Sequence, residues 1–141
     1  MGRKFALVAC VAKKNSRPMP ARDLYISVWF HKAAAYAVRE ADEWYILSAK
    51  HGLISPDTVI RPYDETLKGM SATARRDWAT RVMEALMQRL DPGDTVIILA
   101  GQDYRAGLIE PLRQMGCTVL VPMEGLRIGE QLAWLKSQLG E

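Results

Sequence analysis

Ser48-Ala49-Lys50-His51-Gly52 follows the apolar run Trp44 to Leu47 and gathers a hydroxyl, an ammonium and an imidazole at one chain corner. Further on, Pro62-Tyr63-Asp64-Glu65 adds a phenol beside carboxylates. In a pocket, Asp64 would orient a water or stabilise a developing positive charge. His51 would donate to a carbonyl or a leaving group, and Lys50 would pair with Asp64 or hold a phosphate. Ser48 and Gly52 would let backbone amides come close to a ligand. Tyr63 and Tyr104 offer faces on which a base can stack, worth about 1–3 kcal/mol per base. Each residue also has a plainer role. Asp64 reads as an Asx-turn acid, His51 as a loop hydrogen-bonder, and the tyrosines as packing. His31, inside a helical segment, reads as structural or exposed.

Other corners carry chemistry of their own. Cys10 with His51 would make a thiol nucleophile and its base, but between Ala9 and Val11 on a buried strand the thiol reads as inert. Arg3, Lys4, Lys13, Lys14, Arg17 and Arg22 give the first 22 residues six positive charges and no acid. That segment, Lys13 to Arg22 above all, reads as a clamp on a phosphate or a nucleic-acid backbone, or as a solvated loop. Gly101-Gln102-Asp103-Tyr104 resembles the Gly-Gln-Asp-Pro-Tyr water-activating motif of uracil-DNA glycosylases. It lacks the proline and follows the third strand rather than the first, so no function is carried over on it.

The elements that must position these residues follow from periodicity. Phe5 to Val11 reads as a strand covered on both faces, and Ala12 to Ala21, with two prolines, as loop. Ser27 is placed to cap an alanine-rich helix from about Val28 to Ala41. Trp44 to Ala49 is the second strand, and Lys50 to Met70 a long loop of the kind that is usually functional. Trp78, Val82, Leu86 and Leu90 recur at i+4 and mark the core stripe of a helix beginning at Ser71. Thr95 to Ala100 is a third strand, Ala106 to Met115 a helix ended by Gly116, and Cys117 to Met123 a fourth strand. A closing amphipathic helix carries Leu132, Leu135 and Leu139. The order predicts one α/β domain over 1–141, a three-layer α/β/α sandwich on a mainly parallel sheet of about four strands. Right-handed crossovers bring the corners Cys10 to Lys14, Ser48 to Gly52, Gly101 to Tyr104 and Pro122 to Gly125 to one edge.

Composition narrows the classes. With 49% apolar and 25% charged residues, the 141-residue chain is of globular type. Its apolar runs are too short to span a bilayer. The segment after Met1 has no leader pattern, so a cytoplasmic protein with no membrane partner is expected. Two cysteines, two histidines and no paired-ligand spacing give no reason to expect a metal or another cofactor. Oligomeric state is not encoded in these features.

Leu47-Ser48-Ala49-Lys50-His51-Gly52-Leu53, Pro62-Tyr63-Asp64 and Leu99-Ala100-Gly101-Gln102-Asp103-Tyr104 resemble a family of small uncharacterised bacterial and phage proteins. These are distantly similar to the YaaA peroxide-stress proteins, in which Leu-Ser-Gly-x-x-Gly-Val/Leu is followed by Pro-Tyr and then Ala-Ser-x-x-Tyr. Asp23-Leu24-Tyr25 with Phe30 resembles the Asp-Leu-Tyr-x-x-x-x-Phe/Trp stretch of the same relatives, which adds Tyr25 to the site. The resemblance spans about Phe5 to Tyr104. It implies a sheet similar to the uracil-DNA glycosylase fold and contact with DNA or modified bases. YaaA-type members carry Arg where this chain has Asp64, and they are longer. The resulting expectation is a nucleic-acid base-handling enzyme, an N-glycosylase removing a modified base from DNA in preference to RNA. Asp64, His51 and Lys50 would be catalytic. Cys10, Lys13, Tyr25, Ser48, Gly52, Tyr63, Gly101, Gln102, Asp103 and Tyr104 would bind substrate. The alternatives are a non-catalytic module for nucleotides or nucleic acid, and a hydrolase or transferase for free nucleosides or nucleotides.

Overall fold

A computed structural model describes residues 2–141, and Met1 lies outside the described residues. The chain runs β1 (Lys4–Ala9), β2 (Met19–Pro20), α1 (Ala21–Leu24), α2 (Val28–Glu40), β3 (Glu43–Ser48), β4 (Gly52–Ile54) and β5 (Val59–Ile60). A 3-10 turn (Leu67–Gly69) and α3 (Ala72–Met87) follow, then β6 (Thr95–Leu99), α4 (Gln102–Arg105), α5 (Ile109–Gln114), β7 (Thr118–Leu120) and α6 (Ile128–Gln138).

β1, β3, β6 and β7 are parallel, and their order in the sheet is β4-β3-β1-β6-β7. The central strands read as unbroken apolar runs because helices cover both faces. Phe5, Leu7, Ile46, Leu47, Val96, Ile98 and Leu99 are all buried. Passing from β1 to β3 through α2, and from β3 back past β1 to β6 through α3, right-handed crossovers put α2 and α3 on opposite faces. α6 packs beside α2 and α5 lies along β7, which completes the three layers.

Several elements differ from the sequence expectation. The sheet has five strands rather than about four, because the long loop folds its first residues back as β4, antiparallel to β3. Gly52 makes that reversal at φ +73°, a left-handed conformation open to glycine. Further along the loop, β5 pairs with β2 in a separate antiparallel ribbon. β1 stops at Ala9, not Val11, so Cys10 sits beyond the strand instead of inside it. The helix expected from Ala106 to Met115 shortens to α5, and a separate short helix, α4, precedes it where the corner Gly101 to Tyr104 was expected. Pro111 has no backbone N–H to give and is accommodated in the first turn of α5. The fourth parallel strand shortens to Thr118–Leu120.

The caps hold as read. Ser27 Oγ accepts from Phe30 N at 2.9 Å and Ser71 Oγ from Ala74 N at 3.1 Å. Trp78, Val82, Leu86 and Leu90 are buried as the stripe of α3 requires. Among the described residues no helix is long and apolar enough to cross a membrane.

Candidate functional site

The chain leaves β1 toward one face of the sheet and leaves β6 toward the other. Between two adjacent strands whose connections diverge, the carboxyl ends stand apart and a crevice opens. A cleft of about 400 Å³ lies there, lined by Cys10 after β1 and by Gly101 to Tyr104 after β6. Trp29 from α2, Thr66 to Lys68 from the loop, and Ile128 and Gln131 from α6 complete its walls.

Within the cleft, Cys10 Sγ and Tyr104 OH are 3.2 Å apart. Burial, and after it the Cys10 thiol, pushes the Tyr104 phenol well above its ordinary range, so its hydroxyl remains a proton donor at neutral pH. The Tyr104 ring is propped edge-on by Trp78, 5.6 Å away. Trp29 Nε1 donates to Gln131 Oε1 at 2.8 Å, and Gln131 Nε2 donates to Leu126 O at 2.9 Å. Both ends of the Gln131 amide are therefore in use, and Trp29 is held as a flat wall. The exposed Gln102 side chain lines the cleft and makes no hydrogen bond among the described residues, so its donor and acceptor are free for a ligand. Asp103 is held by Arg75 at 3.3 Å.

One strand over, the end of β3 is sealed. Ser48 is fully buried. Its Oγ lies 2.7 Å from Tyr63 OH, which lies 2.6 Å from Tyr25 OH. His51 N donates to Ser48 Oγ at 3.0 Å, and Trp78 Nε1 donates to Ser48 O at 2.8 Å. Burial pushes the Tyr25 phenol up to about 12 and that of Tyr63 higher still, so both stay neutral. Lys14 Nζ caps the cluster 4.4 Å from the Tyr63 ring centroid and donates to Ala12 O at 3.0 Å.

The structure thus sorts the residues singled out from sequence into three groups. Cys10, Gly101, Gln102, Asp103 and Tyr104 line the open cleft. Tyr25, Ser48 and Tyr63 form the neighbouring buried cluster. Lys50, His51 and Asp64 are exposed and are not part of the cleft wall. Among the described residues Asp64 has no hydrogen-bonded or ion-paired side-chain partner, so the expected Lys50–Asp64 pair is not formed. Tyr63 and Asp64 are successive residues of the loop with opposite burial, the phenol buried and the carboxylate exposed. His51 stands edge-on to Tyr63 at 5.5 Å, and partial burial, then Lys50, lowers its pKa. Cys10 is paired with Tyr104 rather than His51. Gly52 serves the β3–β4 reversal, and Lys13 lies exposed on the outer loop.

Trp29, Thr66, Lys68, Arg75 and Gln131 belong to the site and went unread in the sequence. Among the described residues no group of three or more His, Cys, Asp or Glu side chains could hold a metal ion.

Residues 5–137 match a family model described as "Family of unknown function (DUF6884)". The chain is also similar to the "Uncharacterized protein YfjM" of Bacillus subtilis (strain 168), with 35% identity over 71 residues. That similarity covers 45% of this chain and 47% of the relative, so the match spans about half of each. No solved structure matches the chain.

Proposed function

The chain belongs to the Family of unknown function (DUF6884), and from its cleft we propose a nucleic-acid base-handling enzyme, an N-glycosylase that removes a modified base from DNA. The observation that carries this reading is the cleft at the switch between β1 and β6. There a free amide, a carboxylate and two aromatic walls face one space. A flat heterocycle in the cleft would have the rings of Trp29 and Tyr104 to stack on, and Gln102 would offer a donor and an acceptor to its edge. The carboxylate role expected of Asp64 passes to Asp103, because Asp103 lines the cleft and Asp64 does not. In this scheme the bond between C1′ and the base nitrogen breaks with its electron pair going to the base. Water adds to C1′ and gives its proton to the Asp103 carboxylate, and the departing base takes a proton from solvent. The carboxylate also stabilises the oxocarbenium-like state on the way. The resemblance to the YaaA proteins and to the uracil-DNA glycosylase fold supports the same reading, and a cytoplasmic location accords with it.

Incubation of the protein with DNA oligonucleotides bearing modified pyrimidines, followed by alkali, should reveal abasic sites as strand breaks. Asp103→Asn should lower the yield by about 100-fold, the scale of a lost acid–base group, while Asp64→Asn should retain it. Equal activity of Asp103→Asn and wild type would remove Asp103 from the mechanism. A second reading, a non-catalytic nucleobase-binding module, is favoured by one observation: Arg75 already engages the Asp103 carboxylate at 3.3 Å. That reading predicts oligonucleotide binding that weakens steeply with salt and no strand breaks with any substrate.

A further inference from the structure

Beside the cleft, and sharing Gln102 and Asp103 with it, lies a second cavity of about 220 Å³ between α3 and α4. Its wall is made of small residues, Ala72, Ala79, Ala106 and Gly107, with the side chains of Arg75 and Arg76. Gly107 is pressed so closely onto α3 that a Cβ there would come within 2.7 Å of the Ala79 Cβ. There the wall is closed by the contact of Gly107 with Ala79, and the charged groups of the lining are Arg75, Arg76 and Asp103. Arg75 is balanced by Asp103 at 3.3 Å. Arg76 is not: among the described residues its one side-chain partner is the Thr73 hydroxyl at 3.5 Å, and no carboxylate pairs with it. Lys68 stands on the adjoining cleft wall. The linings of the two adjoining spaces hold three cations and one carboxylate, so the excess charge is positive, with two of the cations at the cavity.

We propose that this cavity is a phosphate subsite, which receives the phosphate of a nucleotide whose base occupies the cleft. The assignment rests on the base-binding reading of the cleft and narrows its ligand to a phosphorylated one. A guanidinium offers parallel N–H donors matched to two oxygens of a phosphate. Small neutral walls admit a tetrahedral oxyanion and present no acid to repel it beyond Asp103, which Arg75 engages.

The test follows backbone amide shifts of the full chain at low, fixed salt. The probes are each common 2′-deoxynucleoside, its 5′-monophosphate, and inorganic phosphate. Monophosphates should bind about tenfold more tightly than their nucleosides, as expected for a charge-assisted contact. Inorganic phosphate alone should shift the amides of Ala106 and Gly107. Arg76→Gln, on an exposed side chain, should close the gap between nucleoside and monophosphate, while Arg81→Gln, elsewhere on α3, should leave it. A gap that survives Arg76→Gln, or phosphate-induced shifts confined to other residues, overturns the subsite. If no nucleoside or monophosphate moves the amides of Gln102 and Tyr104, the reading of the cleft fails. The response of Ala106 and Gly107 to inorganic phosphate then decides the subsite by itself.

Discussion

At the carboxyl end of β3, three hydroxyls close on one another and on backbone groups, whereas at the ends of β1 and β6, one strand away, polar side chains line an open cleft. Both ends lie at the same edge of one sheet, and both are rich in tyrosine and small polar residues. The difference comes from the connections. β3 is the outermost parallel strand on its side, and the chain beyond it turns back at once as β4 and covers the edge. β1 and β6 are neighbours whose chains depart to opposite faces, and nothing but side chains can fill the space between them. Position after a strand therefore identifies possible sites, and strand order chooses among them.

The comparison can be broken most forcefully at Trp78, which braces both ends by donating to Ser48 O and standing edge-on to Tyr104. Trp78→Ala should cost about 3–5 kcal/mol in chemical denaturation, as for a large buried aromatic, and should weaken any ligand binding in the cleft. A cost under about 1 kcal/mol would mean that the corner repacks freely. Tyr63→Phe separates the two ends. It strands the buried hydroxyl of Tyr25 and should cost about 1–3 kcal/mol, with nucleoside binding in the cleft unchanged. Lost binding at intact stability would show the sealed cluster to be part of the site.

At the open end, Cys10→Ala should change stability by less than about 1 kcal/mol, because the thiol is only partly buried and lines a void. Iodoacetamide should alkylate Cys10 well before Cys117, read by peptide mass. Burial, with Asp94 and Asp91 nearby, raises the thiol pKa of Cys117 and keeps it protonated and shielded. Equal labelling of the two would contradict an open cleft at Cys10. The smallest effect is expected at His51, which caps the sealed end from outside. Its pKa lies below the usual 6.5, so folding disfavours its protonation and stability falls as the pH drops through the histidine range. His51→Gln should remove that slope and shift stability at neutral pH by under about 0.5 kcal/mol. An NMR titration midpoint above 6.5 would reverse the sign.

Much of the frame was legible in the chain. Apolar runs such as Phe5 to Ala9 and Val96 to Leu99 announce buried parallel strands, and the i+4 stripe from Trp78 announces the core face of α3. The elements that escaped are two to four residues long. β4, β5 and the 3-10 turn have no room for a period, so residues 50–70 read as one loop. The site was half legible for a related reason. Cys10 and Gly101 to Tyr104 were marked by following strands, and Tyr25 by resemblance, but the adjacency of β1 and β6 is a long-range fact that periodicity does not contain. Asp64 looked chemical beside Tyr63, yet which of two neighbouring side chains turns inward is set by the fold, and here it is Tyr63. Trp29, Lys68, Arg75 and Gln131 come from four separate stretches that only the fold unites.

The pairing of β5 with β2, the bond from Tyr63 to Ser48 and the burial of Leu67 also divide the long connection into short closed spans. The entropic cost of closing a flexible loop grows slowly with its length, about 0.6 kcal/mol per doubling, so three short closures demand more from contacts than one long one. In return, each span has little freedom left to lose. Thr66 and Lys68, two residues apart around Leu67, reach the cleft wall already ordered, and a ligand meeting them would not have to freeze a wandering segment first.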